Sequence, residues 1–242
     1  MSMTSICAVC ASSNTVSLTK KDNYAFSQCK ECDFVFLDPM LTQDELNAQY
    51  TNSDKEAEPT YDKASSRLRR AYIKLPRFFP YAYRQDVLDL GCGGGFIAHV
   101  LSYVATSSAG IDISKNAVAY ARKRFKRPVF LCKSFVELLN TDRRYGFIYS
   151  SEVIEHISDV NLYMRVLQHL TKSEGHVYIT TPDLGHPRTP ADIKEWDVFE
   201  PPIHVQFFSH KTVTCLFKRY GFKILKFYRN RKPGLIFVAK RQ

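Results

Sequence analysis

A chain of 242 residues is longer than the usual single domain, so one main domain with a small accessory element is expected, and 45% hydrophobic residues are ample for a sizeable core. No apolar run reaches the roughly 18 residues that a membrane-crossing helix needs, and the N-terminus lacks a signal-peptide pattern, so a soluble, cytoplasmic protein is expected. The formal charge of +10 favours anionic partners, namely nucleic acid, phosphorylated small molecules or a membrane surface, although a merely solvated basic surface is equally common.

In chain order, the first chemistry is a cysteine pattern. Cys7-x-x-Cys10 is followed after 18 residues by Cys29-x-x-Cys32, the spacing of a two-knuckle zinc site. Each C-x-x-C turn brings two thiolates to one side of the backbone, and two turns close a tetrahedral cage of four sulfurs. So small a segment cannot bury enough surface to fold alone, and metal binding would supply the folding energy. Residues 1–38 are therefore read as a zinc ribbon held by Cys7, Cys10, Cys29 and Cys32. Four thiolates leave no open position, so the site is expected to be a structural or recognition element and not the catalyst. Cys92, Cys132 and Cys215 fall in or beside core elements and read as small buried hydrophobes.

Asp38-Pro39 ends the ribbon, and residues 41–50 read as a short capped helix. The polar stretch 51–60 reads as a linker or mobile loop. Residues 61–79 then carry Lys63, Arg67, Arg69, Arg70, Lys74 and Arg77 against Asp62 alone, a basic face whose plainest explanation is solvation.

The stretch 86–99, D-V-L-D-L-G-C-G-G-G-F-I-A-H, organises the remainder. Val87, Leu88 and Leu90 are an apolar run of the kind buried on both faces of a parallel sheet. The run breaks at Gly91, and Gly93 and Gly95 keep the following backbone clear of Cβ atoms where a ligand must approach. From Phe96 the apolar residues Ile97, Val100, Leu101 and Val104 recur at helical spacing. A second buried strand, 108–113, places Asp112 at its carboxyl end, where open α/β sheets set an acid to accept from a ribose. Gly95 and Asp112 are 17 residues apart, near the roughly 20 of such units.

Ser114 is a natural N-cap for a helix through Phe125, whose basic end, R-K-R-F-K-R, suits a helix C-terminus. Residues 129–132 and 147–150 read as the third and fourth strands. S-S-E-V-I-E-H-I then leaves the carboxyl end of the fourth. Asp159 caps a helix with Val160, Tyr163, Val166, Leu167 and Leu170 on one face. Residues 175–181 read as strand five. Residues 182–208, rich in proline and histidine, are too long and irregular for a simple connection and read as a substrate lid. Ser209 caps the last helix, and residues 222–228 and 235–239 form a closing strand pair.

V-L-D-L-G-C-G-G-G, G-I-D-I-S, Y-G-F-I-Y-S-S-E-V-I-E-H-I and H-V-Y-I-T-T-P together resemble the class I S-adenosylmethionine-dependent methyltransferases, over about residues 83–240. The resemblance implies an α/β fold: a Rossmann-like, seven-stranded, doubly wound sheet with an antiparallel last strand, here with the ribbon added. Residues 39–82 would be a helical linker covering the cofactor. S-adenosylmethionine would lie against Asp89, Gly91, Cys92, Gly93, Gly95, Asp112, Ile113, Ser134, Phe135 and Ser151. The family commonly has an acid near the position of Ser134 to meet the adenine amino group. Ser134 or the backbone near Phe135 would have to substitute for it.

E-x-x-E-H with a later histidine resembles the divalent-metal sites of ubiquinone-pathway O-methyltransferases and of small-RNA 2′-O-methyltransferases. Glu152, Glu155 and His156 match that pattern, with His204 or His186 as the later ligand and magnesium or another divalent cation bound. Two other roles stay open: His156 as a metal-free base, with Glu152 and His204 beside it, or a scaffold residue. The implied reaction is methylation, at oxygen or at carbon, of a small and anionic molecule such as a sugar or secondary-metabolite intermediate. The alternative is rRNA or tRNA methylation, with the ribbon and the basic surface binding RNA. Against RNA, the ribbon lacks a histidine-containing second knuckle. A non-catalytic binding module is a third reading, opposed by the intact glycine loop and Asp112.

Overall fold

The computed structural model describes residues 5–53 and 63–242. Three antiparallel strands open the chain: β1 (Thr15–Lys21), β2 (Tyr24–Cys29) and β3 (Val35–Leu37). The first two are joined across Asp22, which sits at φ 53°, a left-handed conformation that aspartate tolerates. Helix α1 (Gln43–Ser53) begins in a reciprocal cap, with the Thr42 amide and hydroxyl both donating to Glu45 Oε2 at 2.7 Å. It reaches three residues into the stretch expected as linker. The rest of that stretch, and the first two residues of the expected basic helix, lie outside the described residues. Helix α2 (Ala64–Ala82) runs three residues beyond the expected end at 79, through Pro76 and Pro80, and buries Ala71, Phe78 and Ala82.

The strand, glycine turn and helix follow as β4 (Asp86–Leu90) and α3 (Phe96–Leu101), the helix stopping short of Val104. After them come β5 (Ser107–Asp112), α4 (Lys115–Arg124), β6 (Val129–Cys132), α5 (Phe135–Leu138) and β7 (Tyr145–Ser151). Then α6 (Val160–Leu170), β8 (Thr171–Pro182), β9 (Gln206–Phe207), α7 (His210–Arg219), β10 (Phe222–Phe227) and β11 (Gly234–Arg241) complete the chain. Seven strands form one sheet in the order β10-β11-β8-β7-β4-β5-β6, with β11 antiparallel to both neighbours, the expected α/β architecture. Val87, Leu88 and Leu90 of β4 are at most 2% exposed, as an apolar run in a doubly covered sheet should be. Local caps start α4 and α6: Ser114 accepts from Ala117 N at 3.2 Å, and Asp159 accepts from Asn161 N and Leu162 N at 2.9 and 3.0 Å.

Residues 182–208 fold back onto the N-terminal strands. β9 pairs antiparallel with β3, Val35 opposite Phe207 and Phe36 opposite Gln206, so the small sheet has four strands in the order β1-β2-β3-β9. Trp196, Phe199, Val205 and Phe207 pack with Phe26, Val35, Leu37 and Leu46 in one cluster. Phe199 and Phe207 are fully buried, each contributing roughly 1.5–3 kcal/mol of apolar burial. The cysteine segment is also joined to the main core. Thr212 Oγ1 on α7 donates to Cys32 O at 2.7 Å, and the Arg219 guanidinium donates to Ala8 O at 2.9 Å.

Candidate active site

The carboxyl edge of β4, β5, β7 and β8 carries the residues singled out in the sequence. Gly91 is at φ 77° and a Cβ there would meet Val153 Cγ2 at 2.3 Å. Gly95 is at φ 78° and a Cβ there would meet the Phe130 ring at 2.6 Å. Both positions therefore exclude side chains, and the turn exposes bare backbone. Asp112 closes it: Oδ2 accepts from Gly93 N at 2.7 Å and Oδ1 from Ser114 N at 2.9 Å. Each oxygen keeps a lone pair for a hydroxyl donor. Ile113, next in sequence, is 53% exposed, an apolar surface beside Asp112.

Asp89 is buried, and Oδ2 accepts from Ala98 N at 3.0 Å, tying β4 to the start of α3. Burial is the main cause that pushes its carboxyl up to about 7, with Asp112 adding to it and the Ala98 amide opposing it. Cys92 is buried, and burial pushes its thiol up strongly. The Ser134 hydroxyl donates to Glu137 Oε2 at 2.8 Å and accepts from Glu137 N at 3.4 Å, so it serves as the cap of α5. Phe135 packs edge-on against Tyr163 with ring centroids 5.9 Å apart. The Ser151 hydroxyl lies 2.6 Å from Thr180 Oγ1.

Beyond β7 the chain makes a single tight turn, Ile154–His156, preceded by Glu152 at φ 55°. Thr180 and Thr181 point to opposite faces of β8 and hold one glutamate each. Thr180 Oγ1 donates to Glu152 Oε1 at 2.7 Å, and Thr181 Oγ1 donates to Glu155 Oε2 at 3.0 Å. Glu155 is fully buried and its second oxygen, Oε1, has no hydrogen-bond partner. Burial, then the Glu152 carboxylate, raises its pKa well above the ordinary carboxylate range. Leaving such an oxygen unpaired costs on the order of 1–3 kcal/mol unless something else satisfies it.

Two imidazoles face this carboxylate. His156 Nδ1 donates to Ile203 O at 2.8 Å and His204 Nδ1 donates to Val198 O at 2.6 Å; a carbonyl only accepts, so both rings carry a proton on Nδ1. The rings lie 4.6 Å apart, and His156 Nε2 is 3.9 Å from Glu155 Oε1. Burial, and after it the His204 ring, pushes the His156 imidazole down to about 4. Glu155, His156 and His204 present ligand atoms all within 4.8 Å of one another, whereas Glu152 and His186 stand outside this group. His186 is instead bonded to Asn230 O at 3.1 Å and to Arg188 N at 3.1 Å. His204 is brought in by the small sheet. Val205 N donates to Glu155 O at 3.0 Å while Val205 O accepts from Leu37 N at 2.9 Å.

The other metal-suited cluster among the described residues is Cys7, Cys10, Cys29 and Cys32, with Cys7 and Cys32 sulfurs 3.6 Å apart and Cys10 and Cys29 sulfurs 3.5 Å apart.

Sequence reading missed two supports. Lys74, counted above with a solvated face, is half-buried, which pulls its pKa down, while Glu152 and Asp89 pull it up; it lies close enough to feel both carboxylates. The paired threonines were the other omission. Their signal was present, since T-T-P at a strand end sets adjacent hydroxyls on opposite faces.

Residues 61–226 match the family described as a methyltransferase domain, and the chain belongs to that family. A probable S-adenosylmethionine-dependent methyltransferase of Mycobacterium tuberculosis is 28% identical over 125 residues, 52% of this chain and 46% of that protein. A ubiquinone biosynthesis O-methyltransferase of Rickettsia bellii is 35% identical over 100 residues, 40% of this chain and 41% of that protein. The chain thus spans less than half the length of these curated relatives. The crystal structure of magnesium protoporphyrin IX methyltransferase from Synechocystis with bound S-adenosylmethionine superposes with a TM-score of 0.58 at 14% identity. It covers 84% of this chain and 98% of that one, a likeness of fold.

Proposed function

We propose that this protein transfers a methyl group from S-adenosylmethionine to an oxygen of a small molecule, with a divalent cation held by Glu155, His156 and His204. The observation that carries the reading is the convergence at one sheet edge of a glycine-rich turn closed by Asp112 and a buried, unpaired carboxyl oxygen grouped with two imidazoles. The names of the ubiquinone biosynthesis O-methyltransferases support oxygen as the methyl acceptor.

The cofactor fits the first half of that edge. Gly91, Gly93 and Gly95 would admit its close approach, the Asp112 carboxylate would accept from its ribose hydroxyls, and Ile113 would offer an apolar face to its base. Methyl transfer is an in-line displacement, so the site must hold nucleophile and methyl carbon together without water between them. The cation fits the second half. Its donor set is one carboxylate and two imidazoles whose tautomers are fixed by backbone carbonyls, the usual way a ligating histidine is oriented. When bound, it would lower the pKa of a substrate hydroxyl. Glu155 and the two histidines would set where that hydroxyl lies, and Glu152, held by Thr180 and near Lys74, borders the same space. A metal-free base would need only one imidazole. The second ring, with its matched tautomer, and the unpaired Oε1 are what favour a cation.

The four cysteines fit structural zinc. Sulfur separations of 3.5 and 3.6 Å are close to the ~3.8 Å of a tetrahedral cage with zinc–sulfur bonds of about 2.3 Å.

Calorimetry with S-adenosylmethionine should show saturable binding that weakens in Asp112→Ala. Titration with manganese, followed by electron paramagnetic resonance, should show one bound ion that Glu155→Gln and His204→Ala both lose, while elemental analysis still finds one zinc. No cofactor binding would sink the methyltransferase reading. Manganese binding unchanged in both variants would sink the cation site and leave the rest standing.

A further inference from the structure

We propose that the outer face of α2, with the turn after α3 and the basic end of α4, is a docking surface for anionic lipid bilayers, on which the protein sits without crossing. Between Lys63 and Arg84 the chain has seven cations and no acidic residue. Against this charge the same face leaves apolar groups uncovered: Ile73 is 64% exposed, Tyr72 42% and Phe79 41%. Leu68, Arg69, Tyr72 and Ile73 follow helical spacing and, with Ser65, line a shallow apolar hollow. The patch continues off the helix. The Tyr72 and Tyr103 rings are 6.4 Å apart, and the Arg127 guanidinium lies 4.7 Å from the centre of the Tyr103 ring, itself 51% exposed. At the other end Phe79 stacks on Tyr83 at 5.1 Å, with Arg84 over the Tyr83 ring at 5.2 Å.

A solvated basic face explains the arginines and leaves the uncovered Ile73, Phe79 and tyrosines unexplained. Cations attract anionic headgroups within a Debye length, while aromatic and aliphatic side chains bury at the headgroup boundary; a helix with both on one face is the interfacial pattern. Charge complementarity selects an anionic surface, and the aliphatic Ile73 at the centre favours a bilayer over RNA, whose bases would stack on the aromatics but gain little from it. The mode is peripheral, because no helix among the described residues is long and apolar enough to cross a membrane. The inner side of α2 carries Lys74 towards Glu152 and Asp89, so a helix held at a bilayer also borders the proposed cleft.

The test is co-sedimentation of the full chain with phosphatidylcholine vesicles, with and without phosphatidylglycerol. Binding should require the anionic lipid and fall as salt rises. Ile73→Asp and the double variant Arg69→Glu, Arg70→Glu should each weaken it at least about tenfold. Both should retain the parent circular dichroism spectrum and cofactor affinity, since all three side chains are exposed. A conservative Arg69→Lys, Arg70→Lys protein should bind as the parent does. Equal binding to neutral vesicles, or none to either, overturns the proposal. So does an Ile73-dependent dimer in sedimentation without lipid, or single-stranded RNA binding that charge reversal abolishes and Ile73→Asp spares.

Discussion

Two clusters of metal-suited side chains lie among the described residues, and they differ in completeness. Cys7, Cys10, Cys29 and Cys32 offer four sulfurs with nothing missing, packed in the main core beside Val9, Phe34 and Phe36. Glu155, His156 and His204 offer three atoms and leave positions for something else. A filled tetrahedron can only hold a fold together, whereas a three-donor set can also hold a reactant. The two are mechanically connected. The ribbon's β3 grips β9 and Val205, and Val205 in turn fixes His204 beside Glu155. The cysteine segment thus shapes the open site from a distance by keeping a strand in place.

Replacing one cage ligand should have the largest effect. Cys29→Ser is expected to lose the zinc and several kcal/mol of stability, given binding energies on the order of 10 kcal/mol for such cages. Near-parent melting and full zinc content would erase the contrast between the clusters. Glu155→Gln should behave in the opposite way, with methyl transfer down about 10²-fold or more and the melting temperature little changed, because it removes a buried carboxylate that has an unpaired oxygen. Substantial unfolding of this variant would make the open cluster structural too.

A pH experiment on a variant isolates Asp89, a buried acid that belongs to neither cluster. Asp89 ionises near 7 in the folded protein, against about 3.9 in an unfolded chain, so the folded state keeps a proton that the unfolded state releases between those values. Stability should therefore decline as pH rises from about 4 towards 7, with a total contribution on the order of 4 kcal/mol, and Asp89→Asn should flatten the slope. An unchanged slope in that variant would place the titration elsewhere. The smallest effect is expected from Ser134→Ala, a loss of about 1 kcal/mol from the α5 cap with cofactor affinity unaltered. A tenfold weaker cofactor would instead give Ser134 a part in adenine recognition.

Several of these features were legible in one dimension because their physics is local. The cysteine pairs are set by two tight turns, the glycine turn by a strand that must reverse, and Asp112 by its place at the end of a buried run. Apolar runs alternating with helical spacing located the strands and helices of the main domain; the antiparallel last strand was implied by the family resemblance, and the strand order is seen only in the fold. What the sequence did not disclose depends on contacts between distant segments. The stretch 182–208 offered proline, histidine and aromatics, and nothing local showed that Phe199 and Phe207 would bury against Phe26 or that β9 would pair with β3. The choice between His186 and His204 had the same character. Both lie in that stretch, and only the hydrogen bonds of Val205 to Glu155 and Leu37 decide which imidazole reaches the carboxylate. Lys74 reads as one more cation on a basic helix until α2 packs over β7 and turns it inward, because helical periodicity assigns a face but not the neighbour that covers it. Residue type and spacing therefore determined which chemistry the chain could assemble. Burial of aromatic side chains against the small sheet decided which residues meet to perform it, since apolar burial has no direction of its own and is specified only when the whole fold closes.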